Sequence, residues 1–176
     1  MRALGPGSVS SFLKIILDVV YVALWIGVGA VGALMLLALL FSFNPDLLAD
    51  LVVTAGGEEV KNRGPVMTLG LLAATVYMGG VLVIVAQLRK IFATLTAGDP
   101  FHPENVRRLR VVGLILAGLE LGRYAFWVLS RSILPDANAV EPSLSLTAWF
   151  SVLVVFVLAE VFREGARLRR EAELTI

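Results

Sequence analysis

Cysteine is absent from the 176 residues, histidine occurs once, and charged side chains make up only 16% of the chain. The first absence excludes disulfides, thiolate nucleophiles and cysteine-based metal sites. The second makes a zinc or acid–base site built on imidazoles a poor prospect, so neither a metal nor a cofactor is expected. The third sets the chain apart from ordinary soluble domains, which carry about 25% charge. No HExxH helix, P-loop or GxSxG elbow occurs either, and the chain reads as a non-enzyme.

What fills the sequence instead is apolar. Hydrophobic residues make up 58% and the mean hydropathy is +0.86. They are gathered in four blocks, at about 15–43, 66–88, 111–129 and 144–161. A hydrocarbon layer about 30 Å thick is crossed by roughly 20 helical residues, so each block is of the right order to span. Strict period-2 alternation is missing, and an open sheet would leave backbone groups unpaired in lipid, so the blocks read as helices. The first block is too long for the roughly 7–15 apolar residues of a cleaved leader. The expected fold is therefore all-α: a four-helix transmembrane bundle forming one membrane domain.

Orientation follows from the basic residues of the connections. Arg2, Lys14, Arg89, Lys90, Arg107, Arg108, Arg110, Arg163, Arg167, Arg169 and Arg170 flank one side of four alternating spans, eleven of the fifteen in the chain. The opposite loops hold Lys61, Arg63 and Arg131 among six carboxylates. Both termini are expected in the cytoplasm.

Two sets of polar residues fall inside or beside the apolar blocks. Glu120 lies at the midpoint of the third block, with Arg123 one turn further on the same helical face. Each charge costs about 2.5–3.5 kcal/mol at a span's centre, so this face must meet protein or water. Mutual neutralisation that locks packing is the favoured reading, because a nearby cation keeps the carboxylate occupied. A proton- or cation-carrying Glu120 is the alternative. Lys14, Asp18 and Glu160 reach similar depths on the basic side, where a polar cluster or plain solvation would serve. Small-residue steps at Gly118–Gly122, Gly29–Ala33 and Gly70–Ala74 suit either a homodimer seam or packing within the bundle.

The 89–110 connection is the most informative stretch. QLRKIFATLTAG prolongs the second helix, with Gly98 placed to terminate it. DPFHPEN then turns, and Pro103 with Glu104 opens a third helix that leads straight into the next span. The expectation is a cytoplasmic helical hairpin with Phe101 at its bend and His102 in the cap. The tail, 162–176, is expected to extend the fourth helix, with its arginines paired to glutamates at i,i+4 spacing. Its mixed charge argues against direct binding of nucleic acid.

Leu88, Ile91, Phe92, Leu95, Gly98, Pro100, Phe101, Asn105, Arg108, Leu109, Arg110 and Gly113 follow an order and spacing that resembles the bacterial membrane family catalogued as domain of unknown function 2975. The ending AEVFREGARLRREAELTI is similar to that family's usual close, and His102 stands where the family often has a small hydroxyl residue. The resemblance is taken to cover the whole four-span layout. It implies a bacterial inner-membrane location and, because members are often encoded beside a small helix-turn-helix transcription regulator, a control or tethering role. On that expectation Phe101, Arg107, Arg108, Arg110, Arg163, Arg167, Arg169 and Arg170 form a docking face for a soluble partner. The rival is a small proton-coupled transporter using Glu120 or Asp18.

Overall fold

The computed structural model describes residues 9–43, 64–133 and 143–174. Among them every regular element is an α-helix: α1 Val9–Phe43, α2 Gly64–Thr96, α3 Pro103–Ile133 and α4 Leu146–Glu173. All four are long and apolar enough to cross a membrane. The loops that carry Lys61, Arg63, Asp136 and Glu141, and the segment with Arg2, lie outside the described residues.

The helices overshoot the apolar blocks. α2 continues past Leu88 to Thr96, α3 starts at Pro103, well before Val111, and α4 runs on past Val161 to Glu173. At 1.5 Å per residue even α4 is roughly 42 Å long, more than a hydrocarbon layer of about 30 Å. The excess is polar and gathers at one end, where α2, α3 and α4 meet around a short turn.

That turn is built from local chemistry. Gly98 takes φ +82°, a left-handed conformation that costs glycine nothing. Its N–H donates to the Leu95 carbonyl (3.1 Å) and the Asp99 N–H to the Thr94 carbonyl (3.0 Å), the paired bonds of a Schellman ending. At the start of α3, His102 Nδ1 accepts the Glu104 N–H at 3.2 Å. His102 thus does as an N-cap what a hydroxyl residue does elsewhere.

Helix packing follows chain order. α1 lies on α2, α2 on α3, and α3 on α4; α1 touches neither α3 nor α4 among the described residues. The four helices form an open row, in which the first and the last do not touch among the described residues. Lipid tails solvate an apolar helix face as well as another helix does, so nothing forces the ring to close. The apolar stretch of α1 has no buried residue at all. The buried side chains concentrate where α2, α3 and α4 come together: Ile91, Leu109 and Ala159 form one cluster, with Leu88, Leu95 and Phe162 packed against it.

Gly118, Gly122, Gly29 and Gly70 have open space where a Cβ would sit. Their seams are therefore uncovered by any described part of this chain.

Candidate functional site

The turn end is tied together by one fully buried polar side chain. Asn105 has no exposed surface. Its amide donates to Thr94 Oγ1 (2.7 Å) and to the Pro100 carbonyl (3.2 Å), and its Oδ1 accepts from Arg108 at 2.9 Å. Arg108 also donates to the Lys90 carbonyl on α2 (3.1 Å), and the Thr94 hydroxyl donates to the Ile91 carbonyl (2.7 Å). An amide offers two donors and an acceptor, and here all are used, which is what permits its burial. Helix periodicity gives no warning of this role, because Asn105 reads as one more polar residue before a span.

α4 then closes over the turn. The Phe101 ring meets that of Phe162, centroids 5.8 Å apart, and lies against Gly165, where any Cβ would come within 2.5 Å of it. Arg169 forms an ion pair with Asp99 across the turn. Residues 99–101 and 162–169, distant in sequence, thus share one surface.

The expected docking residues divide on this surface. Phe101, Arg108 and Arg169 make contacts within the molecule. Arg163 pairs with Glu160, and Arg167 with Glu164 (2.6 Å) and Glu171 (3.6 Å), on their own helix. The expected Arg169–Glu173 pair falls on a side chain outside those described. Arg107, Arg110 and Arg170 are exposed and have no ion-pair partner among the described residues.

The polar cluster expected from Lys14, Asp18 and Glu160 is not assembled. Glu160 sits on α4, which does not reach α1 among the described residues, and it pairs with Arg163 one turn along. Asp18 instead accepts from Arg89 Nε of α2 at 2.5 Å, and the Arg89 guanidinium lies 4.3 Å from the centre of the Tyr21 ring. Only the antiparallel packing of α1 on α2 could reveal that partnership.

The intramembrane pair is formed. Arg123 donates to Glu120 Oε1 at 2.6 Å and to the Ser143 carbonyl at 2.9 Å, and the Tyr124 hydroxyl lies 3.3 Å from the same carboxylate oxygen. Glu120 is nearly enclosed, with 11% of its side chain exposed. Ser143 lies two residues before Ser145, whose Oγ caps α4 by accepting the Ala148 N–H (3.2 Å). The pair therefore anchors the entry of α4 to the middle of α3.

Gly27, Gly29 and Gly32 have the G-x-G-x-x-G spacing of a dinucleotide turn. Here they lie mid-helix in α1, not at a strand-to-helix turn, so the spacing carries no phosphate-binding geometry. Among the described residues no three His, Asp or Glu side chains gather as metal ligands.

Four helices long and apolar enough to cross a membrane fit a multi-pass membrane protein. The chain belongs to the family of proteins of unknown function DUF2975, whose profile matches residues 49–176. The match takes in α2, α3 and α4 and begins after α1, a narrower range than the whole four-helix layout. No curated protein and no solved structure matches the chain.

Proposed function

We propose that this protein is a regulatory or tethering protein of the bacterial inner membrane, without enzymatic activity, that holds a soluble partner at its turn end. The orientation rests on the basic bias of the connections, which places that end and both termini in the cytoplasm. One observation carries the reading: the α2–α3 turn and the end of α4 are locked into a single surface by Phe101, Phe162 and the Asp99–Arg169 pair. Arg107, Arg110 and Arg170 remain exposed at that end, suited to an acidic face on a partner. The small helix-turn-helix regulator encoded beside members of the resembling family is the proposed partner.

The ion pairs weigh against the transport reading. Glu120 and Asp18 are each already paired with a guanidinium, at 2.6 and 2.5 Å, so neither carboxylate is free for a transported cation. The test is co-purification of the regulator with the full-length protein and with an Arg107→Glu/Arg110→Glu/Arg170→Glu variant. Recovery is expected to fall at least about tenfold in the variant, an ordinary loss for removing several interface charges. Equal recovery with both proteins sinks the proposal.

A further inference from the structure

Between α1 and α2 lies a cleft of about 440 Å³ lined by Lys14, Asp18, Tyr21, Ala86, Arg89, Lys90 and Ala93. It contains none of the proposed docking residues, and it meets the turn network only at the Lys90 carbonyl, which accepts from Arg108. Three of its side chains are cationic and one is anionic. Asp18 and the Tyr21 ring hold Arg89 in place, while Lys14 and Lys90 are exposed with no ion-pair partner among the described residues. Ala86 and Ala93 keep the α2 wall low, which is what leaves the volume.

The surface leading away from the cleft changes character in a definite order. Along one face of α1, Lys14, Asp18 and Tyr21 are followed by Trp25, whose ring stands edge-on to Tyr21 at 6.4 Å and remains 53% exposed. Gly29 and Gly32 come next, and nothing lies within 4 Å of where their Cβ atoms would be. From Asp18 to Gly29 is roughly 16 Å at 1.5 Å per helical residue, about half of a hydrocarbon layer of about 30 Å. The face is thus charged, then aromatic, then bare over the depth of one leaflet.

We infer that the α1–α2 cleft is a binding site for the phosphate headgroup of an anionic phospholipid, with an acyl chain lying along Trp25, Gly29 and Gly32. Lys14 and Lys90 supply the charge that recognises the phosphate, and Arg89, oriented by Asp18 and Tyr21, supplies planar donors. A basic cleft between spans at the headgroup level is the setting in which such headgroups are held. A free phosphate shares the headgroup chemistry but gains nothing from the apolar face.

Native mass spectrometry of the full-length protein in a neutral detergent tests this, with phosphatidylglycerol and phosphatidylcholine offered in equal amounts. Phosphatidylglycerol should be retained in preference. Lys14→Gln/Lys90→Gln should weaken its retention roughly 30-fold, about fivefold per lysine at a membrane surface. Lys14→Arg/Lys90→Arg should keep it, and so should Arg107→Gln/Arg110→Gln, which removes equal charge elsewhere. Ala93→Phe fills the cleft without altering charge and should also abolish the preference, covering the case in which the lysine variant does not fold. Equal retention of the two lipids by the unmodified protein overturns the inference, as does equal loss in the Arg107/Arg110 control. Displacement of phosphatidylglycerol by millimolar inorganic phosphate overturns the assignment to lipid.

Discussion

α1 and the α2–α3–α4 unit are held by different physics. The unit is tied at its turn by a buried amide, an ion pair from the turn to α4, two tilted rings in contact and a small apolar cluster. α1 rests on α2 alone, has no buried residue in its apolar stretch, and adds one half-exposed ion pair, Asp18–Arg89. The family match draws its line in the same place, starting after α1. The contrast teaches that apolarity does not measure integration, since α1 is the most apolar of the four helices and the least tied by polar contacts. Apolar surface places a helix in lipid, whereas directional polar contacts decide which helices move as one body.

The largest expected effect breaks the stronger side of that contrast. Asn105→Ala strips partners from Thr94, Pro100 and Arg108 together and should lower unfolding stability by about 2–4 kcal/mol. Thermal or denaturant unfolding in detergent would measure it, and a loss as small as an exposed polar residue's would show that the turn is not held this way. Glu120→Gln should come second, lowering the thermal midpoint because Arg123, which also holds the Ser143 carbonyl at the entry of α4, loses its carboxylate partner. Proton flux in reconstituted vesicles should be the same before and after that change. A flux present in the parent and lost in Glu120→Gln would revive the transport reading.

Gly165→Ala should cost roughly 1–3 kcal/mol by driving a methyl into the Phe101 ring. Adding Phe101→Ala should recover part of that loss, and a double-mutant cycle with no coupling would separate the tail from the turn. Smallest is Asp18→Asn, below about 1 kcal/mol, since both partners of its pair are well over a quarter exposed. The sharper readout there is mobility: a spin label on α1 should loosen relative to α2 while labels on α3 and α4 hold their spacing. Equal loosening throughout would erase the distinction between the two regions.

Much of the framework is legible in residue order. The four apolar blocks name the helices, Gly98 marks the end of α2, Pro103 the start of α3, and the i,i+3 spacing of Glu120 and Arg123 announces their pair. Each is a local relation within a few turns of one helix. What escaped is equally consistent. Asn105 looks like solvated flank until Thr94 and Pro100 are brought to it. Glu160 matches the depth of Asp18 but faces no part of α1. Phe101 and Arg108 look available to a partner because the groups that engage them lie on other helices or across the turn.

The sequence by itself determined that this chain forms membrane-length helices, where the turn end stops and starts, and which end is basic, because hydropathy, capping and charge are each read along a single continuous stretch of chain. Only the tertiary structure decided that the helices stand in an open row, that α4 closes on the turn, and that Arg89 belongs to Asp18. Those outcomes depend on which faces meet, and in an apolar surrounding a face's hydrophobicity does not say what it will touch.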